Sequence, residues 1–316
     1  MLRFDKMKIV VPIRLISVTD ETYFVSSYHD GNLIGMKFDQ KQPYQLSIKL
    51  DYNHREAVFE FTGKILGDRY PELISRDTIG ICLKRINDLG VVSFRVVDVL
   101  QFSQVTKCDV TVDIEFNDIT GLSSYIKTNS STKYQGKSDR YSNGISLSNK
   151  VATDRLKKRM VIYNKQKELQ KAENSQFLAS LRDRDNLLSF FNGKVRFERN
   201  LTTKEGIRKA LEITNTNIEK VLSAETTPIT DMLREVVKPP KCNEIKPSQM
   251  KDVVYEAVLS MYDYDLGKVE AAFRSAASGN TRMSRVMSPY KEYLSRRESL
   301  LTGGFDFEGL IRKLPY

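Results

Sequence analysis

The sequence predicts an α+β fold: an antiparallel sheet with helices packed on one face, followed by a small helical C-terminal domain. Three observations carry this expectation. Short alternating or apolar runs recur at residues 8–15, 44–50, 57–62, 91–99 and 108–116, separated by turn-formers such as Asp30-Gly31-Asn32. Helical periodicity is kept apart from these runs, at residues 70–89, 167–191 and beyond 202. Lys238-Pro239-Pro240-Lys241, with Pro247 beyond it, reads as a linker, after which every segment is helical. The expected organisation is one domain over residues 1–237, a linker at 238–248 and a helical domain at 249–316.

The second half of the larger domain begins with residues 127–150, polar and poor in apolar side chains, which suits a loop or a hairpin around Asn143-Gly144. A strand over residues 159–165 leads into a charged helix over 167–191 that Gly193 ends, and residues 194–201 read as another strand. Thr202-x-x-Glu205 is a capping box opening the next helix. In the C-terminal part helices are expected at 253–261, 266–275 and 289–301, with a short one after Gly303-Gly304. No internal repeat is visible.

Composition narrows the class of function. The 316 residues are enough for an ample core, and the formal net charge of +10 favours a polyanionic partner, nucleic acid or an anionic membrane surface. No apolar run approaches the ~20 residues of a membrane-spanning helix, and the N-terminal apolar stretch is broken by Pro12 and Arg14, against a signal peptide. Three widely spaced cysteines, Cys82, Cys108 and Cys242, suit a reducing cytoplasm. Only two histidines exist, His29 and His54, which argues against histidine metal clusters and Ser-His-Asp triads. Residues 127–171 hold twelve Lys or Arg against three acids, nearly the whole excess of the chain. Interleaved with Tyr, Ser, Asn and Gly, they suit a surface that tracks phosphates, or a solvated basic loop. Lys133, Lys137, Arg140, Lys150, Lys157, Lys158 and Arg159 are the candidate DNA contacts there, and Arg296 and Arg297 are the candidates in the tail. Tyr125, Tyr134 and Tyr141, in or beside the polar loop, suit stacking on bases.

Three strands carry the candidate chemistry. In KCDVTVDIEFN, alternation puts Cys108, Val110, Val112, Ile114 and Phe116 on one face and Asp109, Thr111, Asp113 and Glu115 on the other. Carboxylates in a row repel, and a hard divalent ion among them would explain the pattern; so would a solvated outer face. In RMVIYNK, Arg159, Val161, Tyr163 and Lys165 share a side, so Tyr163 either stands between two cations that would favour its phenolate or lies along the sheet as an ordinary strand tyrosine. In KVRFERN, Glu198 offers a carboxylate from the polar face, unless Arg196 or Arg199 simply pairs with it. Tyr290 and Tyr293, one helical turn apart, are a rival nucleophile pair.

The succession CDVTVDIEF, a basic Ser/Asn-rich loop, RMVIYNKQKELQ and DNLLSFFNGKVRFERNL resembles the gene II/X replication initiators of filamentous bacteriophages, relatives of the plasmid rolling-circle initiators. AVFEFTGKILGDRYPELIS upstream and SRRESLLTGGFDFEGL near the end are also similar to that family, while residues 1–50 match no part of it. The resemblance implies an HUH/Rep-like sheet and a metal-dependent endonuclease. Such an enzyme nicks one strand of duplex DNA through a tyrosine, stays on the 5′-phosphate and later religates the displaced strand. Tyr163 stands where the family has its nucleophile, Lys165 where it has its lysine, and Asp109 and Glu198 match its acidic positions. Asp113 and Glu115 are added as metal ligands from alternation alone. No His-hydrophobic-His pair is present, so carboxylates would supply the ligands and favour Mg²⁺ or Mn²⁺.

The implied partners are origin DNA, single-stranded at the nick, and a helicase and polymerase of the bacterial host. No membrane role is expected, and no P-loop or dinucleotide fingerprint asks for a nucleotide cofactor. The competing readings are a non-catalytic DNA-binding regulator of a mobile element, a conjugative relaxase of the same chemistry and a viral assembly protein.

Overall fold

The computed structural model describes residues 1–131, 133–134, 139–141, 144–149, 158–238, 249–277, 282–302 and 305–315. Contacts divide the chain into one unit of Met1–Val237 with Gly309–Tyr316 and a second of Lys238–Glu308. The expected linker falls mostly on residues 239–248, outside the described ones.

The first unit is organised by strands β1 (Phe4–Pro12), β3 (Val25–His29), β4 (Asn32–Gln40), β5 (Leu46–Asp51), β6 (Glu56–Thr62), β8 (Gln104–Glu115), β9 (Asp139–Tyr141), β10 (Gly144–Ser148), β11 (Arg159–Asn164) and β12 (Lys194–Leu201). They form one antiparallel sheet in the order β3-β4-β5-β6-β1-β8-β12-β11-β10-β9. Two short strands, β2 (Ser17–Val18) and β7 (Val92–Ser93), make a separate ribbon. The N-terminal strand therefore lies in the middle of the sheet, although residues 1–50 carried no resemblance. Asp30 and Gly31 both take positive φ, 49° and 77°, the two-residue turn that joins β3 to β4 without splaying them.

Burial follows the pleat. Met7, Ile9 and Val11 of β1, Ala57, Phe59 and Phe61 of β6, and Val195 and Phe197 of β12 are buried on one face. The larger helical layer lies there: Arg199, on that face of β12, donates to the carbonyl of Pro228 at 2.5 Å, at the start of a helix over Pro228–Val236. Part of the opposite face is capped by a smaller group in which Tyr70, Leu73, Leu169, Phe177, Leu187 and Phe191 pack together.

Several elements differ from expectation for local reasons. The run at 91–99 gives only β7 before turning into a helix at Val96–Phe102; a short apolar run does not distinguish strand from buried helix. Pro71 and the positive φ of Leu73 break the segment 70–89, so the helix covers only Ile79–Asp88. The charged segment after β11 is three short helices, Lys165–Leu169, Ser175–Ala179 and Arg184–Phe190, because Asn164 and Asp183 each cap a new start. Thr203, not Thr202, caps the helix Lys204–Leu211 by accepting from Gly206 N–H. The tail Gly309–Tyr316 groups with the first unit rather than with the helices before it; Leu310, Ile311 and Leu314 are buried.

The second unit contains helices at Met250–Met261, Leu266–Ala276 and Met283–Thr302, with Leu259, Val269, Met287, Tyr290 and Tyr293 in its core. Glu256 accepts from the hydroxyls of Tyr264 (2.7 Å) and Tyr293 (2.9 Å) and pairs with Arg297. Among the described residues no helix is long and apolar enough to cross a membrane.

Gly144 faces Tyr163 across the β10–β11 ladder, and a Cβ there would lie 2.7 Å from Tyr163 Cβ and closer still to the carbonyl oxygen of Ile162. Replacing Gly144 by Ala is expected to push β10 off β11 and lower stability by on the order of 1–3 kcal/mol, read from a denaturant midpoint at unchanged m-value.

Candidate active site

Register brings the three chemistry-bearing strands together. Across β8, β12 and β11, Asp113 faces Arg196, which faces Tyr163; Thr111 faces Glu198, which faces Val161; Asp109 faces Asn200, which faces Arg159. Opposed residues in a ladder point to the same side. Tyr163, Glu198 and Asp109 therefore share one face, in three successive rows.

The innermost contact is Tyr163 OH donating to Glu198 Oε1 at 2.5 Å. Burial, then the negative charge of Asp5, pushes the Glu198 carboxyl up to about 8. Burial, then the charge of Glu198, also holds the Tyr163 hydroxyl well above its ordinary value. Both shifts run against the phenolate that flanking cations would favour. Glu198 holds the proton by a hydrogen bond, and the nearest cations do not reverse the effect of burial.

A β-bulge supplies the charge that acts on Glu198. Phe4 pairs with Val110 and Lys6 with Asp109, so Asp5 is an extra residue in β1. Strict alternation would send Asp5 to the face of Met7 and Ile9. The bulge instead aims its carboxylate at the site, where it accepts from Tyr70 OH and Arg196 Nη1, each at 2.7 Å. Burial alone would raise the Asp5 carboxyl, but Arg196, Lys165 and the Tyr70 hydroxyl together lower it. Arg196, fully buried, also grips Asp113 through Nε and Nη2 at 2.7 and 2.8 Å, and lies against the rings of Tyr70 and Phe191.

Against this geometry the expected residues separate. Lys165 is not in the strand: it opens the helix Lys165–Leu169, pairs with Glu168 at 2.6 Å, and sets its ammonium 5.5 Å from the Tyr163 ring centre. Asp113 is not open to a metal, because Arg196 takes both its oxygens. Glu115 lies at the exposed end of β8 opposite Lys194, about 13 Å along the strand from the Glu198 row. Among the described residues no three His, Cys, Asp or Glu side chains gather as a metal cage. Asp109 remains a fitting ligand: its Oδ1 is buried with no hydrogen-bond partner among the described residues, and burial above all raises its carboxyl. Glu198 is in no ion pair among the described residues, so neither Arg196 nor Arg199 accounts for it.

Three of the nine basic candidates are engaged within the protein. Lys133 and Lys158 both pair with Glu235, at 2.9 and 2.6 Å, on the opposite side of the sheet. Arg159 is exposed on the site face. Arg297 stacks on Tyr264 at 3.8 Å and pairs with Glu256, a packing role within the helical unit. Arg140 lies in β9 and Arg296 in the helix Met283–Thr302; Lys137, Lys150 and Lys157 lie outside the described residues. The rival pair Tyr290 and Tyr293 is core, with Tyr290 packed on Tyr255 and Phe273 at 4.9 and 5.3 Å. Tyr134 is fully buried and hydrogen-bonded to Glu235, which removes it from base stacking; Tyr125 lies half-buried in the helix Ile119–Asn129 and Tyr141 in β9.

Sequence reasoning missed Asp5 and Tyr70 and saw Arg196 only as a partner for Glu198. The break in alternation between Phe4 and Met7 was the one available signal for Asp5.

Fold and site together define an α+β protein whose central antiparallel sheet carries a tyrosine–carboxylate pair beside a buried acid. Residues 73–220 match the family model Phage_CRI, the N-terminal region of a phage replication-associated protein (the gene II product), which covers just under half of the chain and supports a filamentous phage gene II-type replication initiator. No curated protein matches the sequence.

Arg196→Ala would leave the partly buried Asp113 and Asp5 without their cation. It is expected to cost about 3–5 kcal/mol of unfolding free energy, measured by chemical denaturation; a loss below ~1 kcal/mol would show that the cluster does not hold these strands.

Proposed function

We propose that the chain initiates rolling-circle replication by nicking one DNA strand through Tyr163. The observation that carries this reading is the Tyr163–Glu198 hydrogen bond between β11 and β12, within the region that matches the phage replication family. Glu198, in its ionised form, accepts the phenolic proton through Oε1 as Tyr163 Oη bonds to the scissile phosphorus. The 3′ oxygen departs and takes a proton from solvent, leaving a 3′-hydroxyl for priming and a 5′-phosphotyrosine link. Religation is the reverse: a 3′-hydroxyl attacks the phosphotyrosine and Tyr163 recovers its proton. The link conserves the phosphodiester, so no nucleotide is consumed.

The donor set suits a hard divalent ion held by two carboxylates rather than four. Asp109, through its unpartnered Oδ1, and Glu198 would hold Mg²⁺ or Mn²⁺, with phosphate and water oxygens completing the shell. Such an ion supplies Lewis-acid stabilisation of charge on the phosphate oxygens. The fixed contributions of the chain are separate. Burial, and after it the charge of Asp5, raises the proton affinity of Glu198, and Arg196 fixes Asp5. Lys165 keeps a positive charge beside the phenol ring. Exposed Arg159, one row beyond, meets the phosphate backbone. Strand separation and synthesis fall to a helicase and polymerase of the bacterial host.

The test is incubation with a supercoiled plasmid carrying the cognate origin and Mg²⁺ or Mn²⁺. Nicked circles and protein linked to a 5′ end are expected. Tyr163→Phe should abolish both while retaining DNA binding; wild-type nicking by that variant would refute the nucleophile. Glu198→Gln and Asp109→Asn should each slow nicking by roughly 10²-fold or more with little change in binding.

A further inference from the structure

From a cavity at the open edge of β8, we infer a subsite that receives one unpaired base of the DNA strand. The inference rests on the proposed nicking reading and adds the contact that reads the strand beside the cut. The cavity, of about 310 Å³, belongs to the first unit and forms where β8 outruns β1. β1 pairs no further along β8 than Phe4 with Val110, after which Arg3 O accepts from Thr111 N–H at 2.8 Å. In an antiparallel strand the N–H and C=O of one residue point to the same edge, and alternate residues change edge. Asp113 therefore turns its backbone donor and acceptor the same way as Thr111, into space that β1 does not fill. Neither group has a backbone partner there among the described residues.

The walls supply the rest of a base site. Leu73, Val112, Ile229 and Leu314 are apolar, and the exposed ring of Phe190 stands at the rim. Lys194 Nζ lies 3.4 Å from that ring's centre, and Arg3 lies on the same lining. Neither cation is in an ion pair among the described residues, so both are available to a phosphate. The Thr226 hydroxyl, also on the lining, is buried without a partner among the described residues.

An apolar slot with one donor–acceptor pair, an aromatic ring and two free cations suits a nucleotide: base inside, phosphate outside. A purely apolar ligand would leave the Asp113 backbone pair and the Thr226 hydroxyl unmet. The location agrees. The cavity borders the row in which Asp113, Arg196 and Tyr163 face one another, and β8 lies two strand spacings, about 10 Å, from β11. A strand cut at Tyr163 thus has a neighbouring base within reach of the cavity.

The probe is a short oligothymidylate carrying 5-iododeoxyuridine at one position at a time, crosslinked to the full chain by light and mapped by mass spectrometry. One position should crosslink to Phe190. An abasic residue at that position should weaken binding about tenfold. Both Ile229→Trp, which fills the cavity, and Lys194→Ala should erase most of that abasic penalty, with folding checked by thermal melting. The Lys194 variant keeps the result readable should the tryptophan not fit. An abasic penalty of the same size in wild type and both variants, no penalty at any position, or crosslinks confined to other surfaces would each overturn the subsite. Tyr163 adduct formation is scored in parallel: its absence alongside an intact abasic penalty refutes the nicking reading and leaves the subsite standing, and the reverse pattern refutes the subsite alone.

Discussion

Arg196 is the constraint on which the site depends. A guanidinium with no exposure must be neutralised and hydrogen-bonded, or the strand that carries it does not stay in the sheet. Its partners come from two further strands: Asp113 of β8 takes two of its nitrogens and Asp5 of β1 a third, with Tyr70 completing the shell. A cation that needs all three strands fixes their register. Register, in turn, is what places Tyr163 and Glu198 within hydrogen-bond distance.

The same cluster sets the electrostatics. Asp5 stays ionised because Arg196, Lys165 and Tyr70 attend it, and its charge helps raise the Glu198 carboxyl next to it. Two partly buried acids in one neighbourhood are thus driven apart, one with its affinity for a proton lowered and one with it raised. A tyrosine above its ordinary value is a poor spontaneous nucleophile. Its hydroxyl donates to Glu198, a carboxyl whose own affinity for a proton is raised.

Positive charge in this chain is spent on structure as well as on a polyanion. Lys133 and Lys158 bracket Glu235, and Arg297 closes a tyrosine–glutamate cluster in the helical unit. A basic stretch in a sequence reports composition, not availability, since each of these side chains meets a carboxylate more than seventy residues away in the chain or, for Arg297, forty-one. Arg3 and Lys194 at the cavity, in no ion pair among the described residues, lie outside the basic stretch.

The sequence by itself determined the period-two faces. Asp109, Glu198 and Tyr163 could be assigned to polar faces because a pleated strand alternates whatever surrounds it, and the face assignments of β8, β11 and β12 stand in the structure. The mixed class and the helical character of the chain beyond residue 249 were legible for the same local reason. Only the tertiary structure decided which carboxylates are free. Asp113 and Asp109 are equivalent in the alternating pattern, yet one meets Arg196 and the other, among the described residues, has no hydrogen-bond partner on Oδ1. The broken alternation between Phe4 and Met7 hinted at Asp5, but its face was decided by a bulge that forms only when β1 pairs with β8. Ion pairing and bulges are set by neighbours distant in the chain, and a single strand read alone contains no term for them.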